Sequence, residues 1–251
     1  MNMNSCYKVK MGETMVCLLG LDPINSMFVM KSVVQAQSVF DILEVITEYI
    51  FSRMIHTENR FSSIRNSIPL VYTIRDDVKY SDDMFSIAPR TFPTTIIMER
   101  KDGNTLHAIL IGMERESIIR VLRNVFKVLD HLYREIEFTH YDLHPGNIIV
   151  DPDTLDIALI DMARCRFKTD DGCLGRYFSY DTMHFTGVYM DRAYPAGDIF
   201  RLLMSCWGAG HRFLDTIINF LFSVEPSVVS KMYSPSLYSL PYLEKYKDMV
   251  Y

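Results

Sequence analysis

The sequence predicts an α+β chain of two lobes, a small antiparallel β-rich one carrying a single helix and a short, mainly helical one. Three observations carry that expectation. Short apolar, β-branched runs broken by turn residues fill the first part of the chain, a single amphipathic run interrupts them, and beyond Thr105 the apolar residues recur at helical rather than strand spacing. The lobes divide at residues 1–101 and 102–251 and together form one domain.

YKVKMGETMVCLLG reads as two strands about a turn, and MFVMKSVV as a third. From Ser38, which is available as an N-cap, FDILEVITEYIFSRMI spaces its apolar residues for one face of a helix. IPLVYTI and TTIIMER resume the strand pattern, and KDGNTL reads as a turn. ESIIRVLRNVFKVLDHLYREI is a long amphipathic helix with leucine and isoleucine along one side. FTHYDLHPGNIIV and LDIALIDMARC are two β-type runs, each beginning or ending in a polar cluster, and such polar ends are where chemistry collects. Helices follow near Ala196 (GDIFRLLMSCW) and near Phe213 (LDTIINFLFSV), before a tail rich in Tyr and Pro.

With 251 residues and 49% apolar content the chain is long enough to bury a sizeable core. A net charge of -5 with mixed signs supplies no basic field for a phosphate backbone, so nucleic acid is not expected as a partner. The five cysteines, at positions 6, 17, 165, 173 and 206, make no CxxC pair or dense framework, which points to a reducing compartment and away from zinc. Glu13, Gly20 and Asp22 interrupt the apolar stretch near the N-terminus, and no run is long enough to span a membrane. A soluble, intracellular protein is therefore expected.

The segment His140-Tyr141-Asp142-Leu143-His144-Pro145-Gly146-Asn147 holds ordinary turn formers, and alone it reads equally well as a turn between two strands. It resembles the catalytic loop H-x-D-L-x-x-x-N of protein kinases at every fixed position, and Asp161 follows at the end of the apolar run DIALI. Phosphoryl transfer, which the resemblance implies, needs one carboxylate to orient the accepting hydroxyl, and an amide and a second carboxylate to hold metal ions against phosphate charge. The resemblance implies a protein-kinase-like fold using ATP and Mg2+, with Asp142 orienting the hydroxyl and Asn147 and Asp161 binding the metal.

Features upstream and downstream extend the resemblance in the right order. Lys31 in FVMK resembles the strand lysine that contacts nucleotide phosphates. The helix after it offers Glu44 and Glu48 on one face as ion-pair partners; Glu48 is preferred, because Phe51 and Ile55 then fall on the adjoining packed face, and Glu44 stays open. TTIIMER followed by KDGNTL resembles the segment linking the kinase lobes, which implies that Met98 sits at the gatekeeper position and Glu99 to Lys101 form the hinge facing adenine. Asp198 in AGDIFRLL resembles the helix aspartate that fixes the catalytic-loop backbone, although an acidic residue also suits the first turn of any helix.

The sequence also departs from the family. There is no G-x-G-x-x-G loop, only Gly12 in MGETMV as a candidate phosphate contact; Asp161-Met162-Ala163 stands for D-F-G; and no A-P-E occurs. His144, where Ser/Thr kinases usually place lysine, resembles aminoglycoside and other small-molecule phosphotransferases and also haspin, while IDMARCRF resembles the I-D-x-x-x-x-R pattern of haspin-like, large-DNA-virus and lipopolysaccharide-core kinases. The chain is closest in texture to small viral and haspin-like Ser/Thr kinases, which would place it in the host cell cytoplasm if it is viral. The expected function is an ATP- and magnesium-dependent protein serine/threonine kinase acting on a protein substrate. The alternatives are a small-molecule kinase and a pseudokinase that serves as a binding module.

Overall fold

A computed structural model describes residues 6–11, 14–19, 28–33, 39–75, 95–170, 172–175, 195–216 and 218–219. The early apolar runs form strands β1 (Cys6–Met11), β2 (Thr14–Leu19), β3 (Phe28–Val33), β4 (Val71–Arg75) and β5 (Thr95–Glu99). They make one five-stranded sheet in the order β1-β2-β3-β5-β4, antiparallel throughout. In its register Lys31 lies between Val16 on one neighbour and Ile96 on the other. Lys31 is thus on a central strand, not on a solvated edge.

Helix α1 (Val39–Thr57) follows the third strand, as the apolar spacing predicts; Ser38 itself lies outside the described residues. The helix buries two sides. Val45 packs with Val71, Ile96 and Met98 under the sheet, whereas Phe51 and Ile55 enter the main core. Ser52, fully packed on the same helix, donates to Pro69 O at 2.7 Å and accepts from Val71 N at 2.7 Å, which pins α1 to the start of β4.

Beyond the short strand β6 (Asn104–Thr105) and the single turn α2 (Leu106–Ile109) runs the long helix α3 (Arg115–Ile136). Ile118, Val121, Leu122, Val125, Val128, Leu129, Leu132 and Ile136 are buried along it, the stripe its sequence spacing predicts. Glu137 ends the helix in the left-handed region, and its N–H closes on Tyr133 O at 2.8 Å. Strands β7 (Ile148–Val150) and β8 (Ile157–Leu159) pair antiparallel, and β6 joins them on the outer side of β7. Helix α4 (Pro195–Gly208) contributes Phe200, Leu202, Leu203, Met204, Cys206 and Trp207 to the same core. The fold class is α+β, with small antiparallel sheets and one continuous core that includes α1, α3, α4 and the β7–β8 pair.

The second part of the chain carries one hairpin that periodicity does not reveal. Strands β9 (Arg166–Thr169) and β10 (Gly172–Gly175) are too short and too polar to show an alternating pattern, and only the pairing across the turn defines them. Thr139 and Arg166 exchange two backbone hydrogen bonds at 2.9 Å and so fasten this hairpin beside the 140–147 loop. Among the described residues no helix is long and apolar enough to cross a membrane.

The turn after β5 depends on a glycine. Gly103 has φ +122°, and a Cβ placed there would meet Val150 O at 2.3 Å, so the chain passes against β7 with no room for a side chain. Gly103→Ala is expected to lower stability by about 1–3 kcal/mol, through the unfavourable φ and the displaced β6–β7 pairing. Urea unfolding of the two proteins measures it.

Candidate functional site

Three segments far apart in sequence meet at the Lys31 ammonium. Its Nζ lies 2.8 Å from Glu48 Oε2 and 2.5 Å from Asp161 Oδ1. Glu48 is 2% exposed and Lys31's side chain 15%, whereas Asp161's side chain is 41% exposed, so the aspartate is the member that faces outward. Burial pulls the lysine pKa down, but the charges of Asp161 and Glu48 outweigh it and hold the ammonium above its ordinary value. Burial pushes the Glu48 carboxyl up, with Lys31 opposing. For Asp161 packing also acts upward, but Lys31, His140 and Arg164 outweigh it and hold the carboxyl below its ordinary value. Glu48, the glutamate the sequence favours, meets Lys31; Glu44, the alternative, lies 3.9 Å from Arg164 Nε instead.

The 140–147 loop is built from inside by a second aspartate. Asp198, in the first turn of α4 and 4% exposed, accepts from His140 N at 2.6 Å through Oδ2 and from Tyr141 N at 2.9 Å through Oδ1. These bonds hold Tyr141 at φ 61°, a left-handed conformation that an aromatic residue adopts at a cost of about 1–3 kcal/mol. Burial pushes the Asp198 carboxyl up to about 7, against the downward pull of the two N–H groups.

His140 is fully buried and its tautomer follows from its partners. Nε2 faces Ile160 O at 3.1 Å and so donates; Nδ1 accepts from Asp142 N at 3.3 Å. Burial lowers its pKa, consistent with a neutral ring. His144 does a similar job further on, with Nδ1 accepting from Gly146 N at 3.0 Å. The ring occupies the space a Cβ at position 146 would need, since that atom would lie 2.9 Å from Nδ1.

Asn147 is 7% exposed, and its Nδ2 donates to Asp142 O at 2.9 Å, which orients the amide within the loop. Ile160 N donates to Asn147 O at 3.0 Å, so Asn147 and Asp161 leave the same end of the β7–β8 pair one residue out of step. Asp161 is itself left-handed, at φ 62°, which turns it out of the strand direction. The carboxylate of Asp142 is 17% exposed and lies between two arginines, with Oδ1 2.7 Å from Arg201 Nη1 and Oδ2 3.7 Å from Arg164 Nη1.

Met98 is buried at the end of β5 beside Val71 and Ile96. Glu99 N donates to Leu70 O at 2.7 Å, its Oε2 accepts from Leu70 N at 3.0 Å, and Lys101 Nζ sits 2.8 Å from its Oε1. The segment after β5 is thus fastened to the entry of β4. Gly12 lies outside the described residues. Lys31, Glu48, Asp142, Asn147 and Asp161 lie around the junction of β3, α1, the 140–147 loop and the end of β8, while Met98, Glu99 and Lys101 make their contacts with the β4 side of the sheet. Arg201 and Arg164 are site residues that motif reading passes over. The available signal for Arg201 was its place three residues after Asp198, on the same face of a helix.

No protein-family model and no curated protein matches the chain in sequence. Among solved structures, the bifunctional kinase-methyltransferase WbdD is 19% identical over 61% of this chain and 30% of its own, with a TM-score of 0.41. WbdD bound to a kinase inhibitor is 18% identical over 63% of this chain and 32% of its own, with a TM-score of 0.43. The kinase PK-1 of Cydia pomonella granulovirus is 13% identical over 72% of this chain and 59% of its own, with a TM-score of 0.44. The chain aligns with about a third of the length of WbdD and with less than two thirds of the granulovirus kinase.

Asp198→Asn would keep one acceptor for the loop and set an amide N–H against the second backbone N–H. A loss of about 1–3 kcal/mol is expected from the unpaired buried donors, read by urea unfolding at pH 8, with faster amide exchange at His140 and Tyr141.

Proposed function

We propose that the chain is a protein-kinase-like phosphotransferase, dependent on ATP and magnesium, that phosphorylates serine or threonine on a protein. The observation that carries this is the Lys31 ammonium held between Glu48 and Asp161, with the Asp142–Asn147 loop beside it. A buried salt bridge between a strand and the next helix is common, but one shared with an outward-facing aspartate at the mouth of a polar loop offers little to folding and much to phosphate binding.

The residues fit the implied groups. Magnesium keeps several waters and phosphate oxygens and needs only one or two protein oxygens, which Asp161 and the amide oxygen of Asn147 can supply. Bound ATP and magnesium would supply the transferable phosphoryl group and the charge that neutralises it. Lys31 would meet the phosphates, with Glu48 keeping the ammonium in place. Asp142 would orient the acceptor hydroxyl and take its proton. Met98, Glu99 and Lys101 would border the adenine, and Gly12 the phosphates, so that residues 1–101 act as the nucleotide clamp and 102–251 carry the catalytic loop. His144, which in the sequence favours a small-molecule acceptor, caps Gly146 N through Nδ1, a role within the loop that does not bear on the acceptor.

Purified chain incubated with labelled ATP and a cell lysate should transfer label to protein serine or threonine, with magnesium required. Asp142→Asn is expected to lower turnover by at least about a hundredfold while leaving the fold and ATP affinity in place. Lys31→Met should abolish measurable transfer and weaken the thermal shift given by magnesium-ATP. Wild-type rates in both variants, or no transfer by the wild type, would overturn the proposal.

A further inference from the structure

Helix α4 grips the catalytic loop with both signs of charge, and the second grip is unexplained by the motif. Asp198 takes the N–H groups of His140 and Tyr141. One turn later Arg201 Nη1 lies 2.7 Å from Asp142 Oδ1 and donates to Tyr141 O at 3.3 Å. A single helix face therefore holds residues 140–142 by their donors, by a carbonyl and by a carboxylate. The guanidinium suits this task, because its planar set of donors can reach a carboxylate and a carbonyl together, which a lysine ammonium does less well.

We infer, resting on the phosphotransferase reading above, that Arg201 is the positioning residue of Asp142, tying Oδ1 so that Oδ2 is the oxygen offered to the acceptor hydroxyl. Arg164 reaches Oδ2 at only 3.7 Å and its side chain is 45% exposed, against 35% for Arg201, so Oδ2 carries the looser contact and is the one an acceptor can displace. Position 144 cannot provide the cation from within the loop, since that histidine accepts from Gly146 N. In the transfer step the hydroxyl proton passes to Asp142 Oδ2, the hydroxyl oxygen bonds to phosphorus, and the bond from phosphorus to the ADP oxygen breaks. Arg201 touches none of these atoms and acts by holding the carboxylate in the one orientation that receives the proton.

The test measures ADP release from magnesium-ATP by the full chain, with water standing in for the acceptor hydroxyl. Arg201→Met, which keeps the aliphatic stem, should lower kcat about thirtyfold and leave KM for ATP within about twofold, with Arg201→Lys intermediate. In an Asp142→Asn background the same Arg201→Met change should lower kcat by less than about threefold, because a residue that acts only through Asp142 has nothing left to position. A structural role would instead raise KM, lower Tm and add fully to the loss from Asp142→Asn; that pattern, or an unchanged kcat in Arg201→Met, overturns the inference. If Arg201→Met does not fold, Arg201→Lys decides alone: a drop in kcat of about threefold or more at unchanged KM supports the role, and no drop overturns it. An inactive wild type would overturn the phosphotransferase reading and this role together, an outcome distinct from an active wild type with an unaffected Arg201 variant.

Discussion

The Lys31 ammonium is the point on which the site depends. Taking a lysine and a glutamate out of water is unfavourable by several kcal/mol per ion, and the return comes only when the geometry is close and the remaining polar atoms are matched. Here the ammonium has Glu48 on the buried side and Asp161 on the open side. The consequence is geometric. Strand β3, helix α1 and the end of β8 have to arrive at one place, so the sheet and the helical core are brought into register by charge as well as by packing. Phe51 and Ile55, on the turns of α1 after Glu48, supply the packing half of the same constraint.

A second constraint works from below. Asp198 is buried against backbone N–H groups and Arg201 meets the loop's carbonyl and carboxylate, so α4 serves as a template for the loop as well as a packing helix of the core. The two histidines complete it. Both use Nδ1 as an acceptor for a nearby backbone N–H, and burial lowers the pKa of both rings. The left-handed backbone at Tyr141 and Asp161 is what this network holds in place. A strained backbone over-determined by hydrogen bonds is the usual mark of a site kept in one geometry for chemistry.

Held in this way, the loop and Lys31 meet the same end of the β7–β8 pair, His140 at Ile160 O and Lys31 at Asp161 Oδ1. His140, His144 and Asp198 fasten the site internally, the Asp142 carboxylate is held between Arg201 and Arg164, and Asp161 is the carboxylate that turns outward.

Much of this was legible in the amino-acid order. The sheet strands, α1, α3 and α4 follow from apolar spacing, and the loop residues His140 to Asn147 with Asp161 were singled out by their resemblance to a known motif. The hairpin of β9 and β10 was not legible, since its residues pair by backbone bonds that leave no periodic trace. The packed positions of Phe51 and Ile55 favoured Glu48 over Glu44, one turn away on the same helix face, but did not exclude Glu44; the rotation of α1 against the core sends Glu48 to Lys31 and Glu44 toward Arg164. Arg201 was hidden for a related reason. Local order determines which side chains share a face, but which distant group that face meets is decided only when the chain is packed, because charge pairing between segments depends on the rotation and offset of whole elements.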